Sequence, residues 1–150
     1  MTIREFENEI WSNAYLTRIN IDQILEPIAK KCGLTVLQCL VLEGICHGKF
    51  QNVTDICCFT RMNQSNASAI CKKLESMGLL EKERCPDNKR KVILVATESG
   101  KQRVTVMEAC FEHFMPLLEE ITDEEKEMLC IVQNRINRLL EQMRRVLADM

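Results

Sequence analysis

Residues 63–97 read NQSNASAICKKLESMGLLEKERCPDNKRKVILVAT, and this stretch decides the fold. Ala67, Ile70, Cys71, Leu74 and Met77 recur at helical spacing, with small polar residues on the opposite face. Gly78 stands where such a helix should stop, because glycine enters the left-handed cap conformation without steric cost. Two short apolar segments, Leu79–Leu80 and Val92–Ala96, flank a polar, basic tip of Pro86, Asp87, Asn88, Lys89 and Arg90. A helix that runs directly into a cationic β-hairpin predicts a mainly α chain with a small wing.

Upstream, Thr54 is expected to cap a short third helix through about Phe59, with a turn at Arg61-Met62-Asn63 before the helix already described. Two helices joined by a tight turn, the second opening on polar residues, make a helix-turn-helix. Thr35 can cap the second helix, which runs to about His47 and stops at Gly48. Its residues Val36, Leu37, Cys39, Leu40, Val41, Leu42, Ile45 and Cys46 leave it apolar almost all round, the mark of a helix at the centre of a domain. The chain opens with a capping box, Thr2 to Glu5, and a stripe of Ile3, Phe6, Ile10, Ala14, Ile21, Ile24 and Ile28. Pro27 is predicted to kink or end that first helix, and Gly33 closes the segment.

Downstream, Thr97 starts a long fifth helix carrying Val104, Met107, Phe111, Phe114, Leu118 and Ile121, which Pro116 should bend. Thr122 and Glu125 form a second capping box for a last helix to about Leu147. There Leu129, Val132, Ile136, Leu139, Met143 and Val146 repeat a three–four spacing. About 25 residues at ~1.5 Å each give a rod of roughly 37 Å, and so regular a seam asks for a partner helix. The expected organisation is a helical dimerisation region at 1–33 and 98–150 around a winged helix-turn-helix lobe at 34–97.

The net charge of −2 hides an asymmetry. Residues 61–91 hold eight Lys/Arg against four Asp/Glu, and residues 98–127 hold three against nine. Contact with phosphate depends on local charge, so the basic central block suits nucleic acid despite the total. The start MTIREFENEI lacks an apolar signal region and no stretch approaches the length of a membrane span, so a cytoplasmic protein without membrane contact is expected. Nine cysteines, an odd number, argue against a disulfide framework in that setting. The absence of any C-x-x-C and the separation of His47 from His113 argue against a ribbon- or finger-type zinc site. Cys110 and His113, three apart, supply only two possible ligands, and no metal or cofactor is expected. With no Gly-rich phosphate loop and no nucleophile–base motif, an enzyme is a poor reading.

Taken together the residues resemble the MarR family of winged-helix transcriptional regulators over roughly Gly33 to Lys101. The anchors are Leu34-Thr35 with Gln38, Leu74-Glu75-x-x-Gly78-Leu79, and Thr97-Glu98-x-Gly100. At the wing tip Asn88-Lys89-Arg90 occupies the positions where the family usually has Asp-Arg-Arg. The resemblance implies a homodimer on a pseudo-palindromic operator in double-stranded DNA. Each recognition helix would enter a major groove and each wing an adjacent minor groove, most simply as a repressor.

The residue chemistry agrees with that implication. Gln64, Ser65, Asn66 and Ser68 offer short donors and acceptors to base edges and phosphates near a helix N-terminus. Arg61, Lys72 and Lys73 can meet backbone charge, and Lys89 and Arg90 suit the negative potential of a narrow minor groove. Asn88 and Ala69 depart from the family pattern, so the expected sequence specificity is modest or unusual, with more of the affinity from phosphates. Control by a small ligand or by cysteine oxidation is implied as well. Trp11 and Tyr15 are candidates for lining an effector crevice, and Cys85 beside Arg84 is the candidate redox thiol. The competing reading is a winged-helix module that binds protein without sequence-specific DNA recognition, for instance through the acidic stretch Glu119–Glu127.

Overall fold

A computed structural model describes residues 1–88 and 92–150. Seven helices and one hairpin follow in the order α1 (Ile3–Lys31), α2 (Val36–Cys46), α3 (Val53–Thr60), α4 (Gln64–Ser76), β1 (Leu80–Cys85), β2 (Asn88–Ala96), α5 (Glu98–Glu112), α6 (Met115–Glu119) and α7 (Asp123–Ala148). The chain divides into two compact units, Met1–Cys110 and Phe111–Met150.

Local capping sets most of the boundaries. Thr2 and Glu5, Thr35 and Gln38, and Thr122 and Glu125 close reciprocal capping boxes at the starts of α1, α2 and α7. The same device starts α3, but with Asn52 as the cap and Asp55 reaching back, so Thr54 lies inside the helix instead of capping it. The Asp55 carboxylate also accepts the amide of Gln51 at 2.8 Å, which fixes the approach to α3. At the other end of α4, Gly78 sits at φ +69°. Its amide reaches the Glu75 carbonyl and the Leu79 amide reaches Leu74, so two carbonyls that the helix leaves open are satisfied.

Two prolines behave differently from expectation. α1 runs through Pro27 to Lys31. The bond lost there would have come from the Pro27 nitrogen to the Gln23 carbonyl, and Gln23 is exposed, so water can serve that oxygen. The helix expected to bend at Pro116 instead stops at Glu112, and Pro116 falls in the first turn of the separate short helix α6. Proline fits there because a first-turn amide has no partner to lose.

The core of the first unit gathers Cys32, Leu34, Val41, Leu42, Ile45, Phe50, Ile56, Ala67, Cys71, Leu74, Leu79, Leu80, Leu94, Ala96, Val104 and Met107. α2 supplies Val41, Leu42 and Ile45 from its buried side, which matches its nearly all-round apolar sequence, although Leu37 at its start is exposed. The hairpin pairs Leu80 with Ala96 through Arg84 with Val92, then shifts register before Cys85 meets Asn88. A third backbone connection pins the wing: the Leu94 amide donates to the Gln51 carbonyl at 2.9 Å. Gly100 brings α5 onto the hairpin base so closely that a Cβ there would strike the Leu79 carbonyl oxygen.

Outside this core large apolar side chains stay open. On α1, Phe6, Trp11, Leu16, Ile21 and Ile24 are exposed. On α7, Leu129, Val132, Met143 and Val146 are exposed as well. Among the described residues no helix is long and apolar enough to cross a membrane.

Candidate nucleic-acid interface

The presenting element is α4. At about 100° per residue, its buried residues Ala67, Cys71 and Leu74 form one line that locks against α2, α3 and β1. Directly opposite stand Ser65, Ala69, Lys72 and Ser76. Asn66, Lys73 and Met77 run down one flank, and Ser68, half-buried, lies on the other. Gln64, Ser65, Asn66, Lys72 and Lys73 are all exposed.

Asn63 turns its side chain inward on the helix start, where its oxygen accepts the Asn66 amide at 2.8 Å. The polar side chains of Gln64, Ser65 and Asn66 are then left for an external partner, beside amide groups that carry the positive end of the helix dipole. The turn before α4 is tight because Arg61 takes a left-handed conformation, φ 59°, rare for a residue with a side chain. Its amide still bonds back to the Cys57 carbonyl at 2.8 Å, and the side chain projects from the turn that joins α3 to α4.

Of the sequence-derived site residues, Arg61, Gln64, Ser65, Asn66, Ser68, Lys72 and Lys73 all belong to the turn and α4. Lys89 and Arg90 lie outside the described residues. The wing's first strand presents Glu81, Lys82, Glu83 and Arg84, all exposed. Lys82 reaches back to Glu75 of α4 at 3.0 Å, an ion pair with both partners near half-exposed and worth at most about 1 kcal/mol.

Trp11 and Tyr15 are 51% and 66% exposed on α1 and line none of the described cavities. The largest cleft lies elsewhere, between the end of α1, the start of α2 and the Lys73–Met77 flank of α4, with a volume of about 990 Å³. No short motif marks it, since its walls come from residues 26–77.

Cys85 is half-buried at the end of β1, whereas Cys58 and Cys130 are exposed. Burial pushes the Cys39 thiol up to about 11, and burial also raises Cys32, Cys46 and Cys71. These four thiols stay protonated near neutral pH and are poor nucleophiles. α5 ends at Glu112, so His113 falls past its end and shares no continuous helical face with Cys110.

A helix-turn-helix whose second helix leads into a β-hairpin defines a winged-helix protein, and the described geometry is that of MarR-type transcriptional regulators. The family model described as transcriptional regulator SarA/Rot matches residues 23–107, and the chain belongs to that family. Its members are regulators of transcription and not enzymes. A curated relative, the uncharacterized HTH-type transcriptional regulator YdcH of Bacillus subtilis, is 30% identical over 92 residues, 59% of this chain. The match spans 58% of that relative's length.

Solved structures share the fold. A putative MarR family regulator from Listeria monocytogenes, solved with a 26mer DNA, superposes with TM-score 0.71 at 22% identity, covering 87% of each chain. Staphylococcus aureus MarR in complex with salicylate and kanamycin gives TM-score 0.72 at 19% identity, covering 92% of this chain and 95% of that one.

Proposed function

We propose that this chain is a homodimeric, cytoplasmic DNA-binding regulator that represses transcription from a pseudo-palindromic operator. The observation that carries the reading is the exposed polar start of α4, held rigid by Asn63 below it and by Ala67, Cys71 and Leu74 behind it. Gln64, Ser65, Asn66 and Ser68 would read base edges in the major groove. Arg61, Lys72 and Lys73 would meet the phosphates, with Lys89 and Arg90 at the minor groove. That solved relatives of this fold include one complexed with DNA supports the same reading.

The dimer rests on the open apolar residues of α1 and, separately, of α7. Phe6, Trp11 and Leu16 on one and Leu129, Val132 and Val146 on the other need cover, and a second copy supplies it. On this reading residues 1–33 and 98–150 pair two copies and residues 34–97 hold the DNA. Release would come from a small ligand near the first helix, with Trp11 and Tyr15 as contacts, or from oxidation at Cys85.

Selection of bound duplexes from a random pool tests the reading, together with sedimentation of the free protein. A recovered palindrome, a mass of two chains, and affinity that falls steeply with salt are the expected results. Asn66→Ala should relax the preference at one operator position at a cost of about 1–3 kcal/mol. Failure to bind any duplex at low salt would overturn the assignment and favour a protein partner instead.

A further inference from the structure

The cleft of about 990 Å³ beside α4 combines two properties that point to one ligand chemistry. Its walls are aliphatic, with Leu34, Val36, Leu37 and Met77 facing it, and no aromatic ring lines it. Its charges are Lys30 from α1, Lys73 from α4 and Glu26, one helical turn before Lys30. Neither lysine joins an ion pair among the described residues. Two cations and one carboxylate leave a single unbalanced positive charge, which suits a monoanion better than a phosphate dianion. Walls without aromatic rings suit a flexible chain better than a stacked ring.

We propose that the cleft between the end of α1, the start of α2 and the Lys73–Met77 flank of α4 binds a carboxylate with an aliphatic tail. The head group lies between the Lys30 and Lys73 ammonium groups, and the tail covers Leu34, Val36, Leu37 and Met77. Such a ligand engages the proposed reading helix directly. Asn66, Lys73 and Met77 are 7 and 4 residues apart along one flank of α4, so the chain that holds the head group also carries a proposed base contact two turns away. A carboxylate on Lys73 withdraws that cation from DNA phosphate and weakens binding. This last step rests on the DNA-binding reading; occupancy of the cleft does not.

The test uses the full chain and decanoate at submillimolar concentration, followed by calorimetry without DNA. Saturable binding of one decanoate per chain is expected, with decanol at least tenfold weaker and acetate without measurable heat. Lys30→Gln with Lys73→Gln should lose at least tenfold in decanoate affinity while melting as the parent does, since both side chains are exposed. Leu37→Asp should weaken decanoate from the tail side. Equal affinity for decanol and decanoate, or unchanged decanoate affinity in the double variant, would overturn the site. The same would follow if decanoate bound nowhere because a second copy covers the cleft.

In a second arm, decanoate is titrated into a complex with a labelled duplex. Weaker duplex binding in the parent and no effect in Lys73→Gln support the coupling. Saturable decanoate binding without any change in duplex affinity leaves the site standing and overturns the coupling alone. A parent protein that binds no duplex indicts the regulatory reading, and the calorimetry still decides the cleft.

Discussion

The Thr97 hydroxyl donates to the Gly78 carbonyl at 2.7 Å, and so fastens the end of the recognition helix to the start of the helix beyond the wing. The same oxygen accepts the Gly100 amide at 3.1 Å, and the Thr97 amide reaches the Leu79 carbonyl at 3.1 Å. One side chain thus closes the hairpin at its base and caps α5. Thr97→Val keeps the shape and removes both hydroxyl bonds, so stability should fall by about 1–3 kcal/mol. Thr97→Ser should restore most of it. Urea midpoints of the three proteins, at unchanged slope, are the measurement.

Gly100 and Gly44 offer a contrast in what a single methyl meets. A Cβ at Gly100 strikes backbone, the Leu79 carbonyl, while at Gly44 it strikes the Phe50 ring. Gly100→Ala should cost about 1–3 kcal/mol or more, because the strand base would have to move. Gly44→Ala should be partly rescued by Phe50→Leu, which shortens the offending side chain. Thermal melts of the two single variants and the double variant check both statements. Equal rescue at both glycines would contradict them.

The thiols divide by environment. Cys58 and Cys130 are exposed and should alkylate first, while Cys32, Cys39, Cys46 and Cys71, raised by burial, should react slowly in the folded protein. Peptide mapping after brief iodoacetamide treatment at pH 8 gives the order.

The same shift carries a pH dependence of stability. The Cys39 thiol titrates near 9.0 when unfolded and at about 11 when folded, so within that window the unfolded chain holds fewer protons. Its contribution is therefore complete below pH 9.0 and is lost as pH rises towards 11. Cys39→Ala should flatten the decline in urea midpoint over this range relative to the parent. An identical slope would show that Cys39 titrates freely.

Arg61 occupies the left-handed region at φ 59°, where a side chain normally costs about 1–2 kcal/mol. Arg61→Gly should therefore leave stability within about 1 kcal/mol of the parent despite the loss of the side chain's contacts. Duplex affinity should drop across all sequences alike, with the salt slope smaller by about 1 if the guanidinium meets a phosphate. Salt titrations of both proteins on an operator and on a random duplex distinguish this from a base contact, which would weaken only the operator.

Features determined within four residues of chain were legible in the sequence. The capping pairs Thr2–Glu5 and Thr122–Glu125, the stop at Gly78 and the buried line of Ala67, Cys71 and Leu74 all follow from helical spacing. Errors arose where two local signals competed. Thr54 is a good cap residue, yet Asn52 is placed three residues before an acid, and that reciprocal bond wins. Pro27 and Pro116 carry the same ring with different results, because one leaves an exposed carbonyl to water and the other sits in a first turn. β1 extends through Glu81, Lys82, Glu83 and Arg84 with no apolar alternation, since pairing with β2 holds it and not burial. The polar face of α4 could be read directly; the cleft could not, because Lys30 and Lys73 meet only through the path of the chain between them.

The bond from Leu94 to Gln51 has a mechanical meaning. It makes the wing a rigid extension of the element that also launches α3, so the spacing between wing and recognition helix is set before any duplex arrives. A duplex with the wrong groove geometry has to bend or twist to fit, at a cost that depends on its own stiffness. Operators would then be selected partly for pliable base steps at positions that no side chain touches.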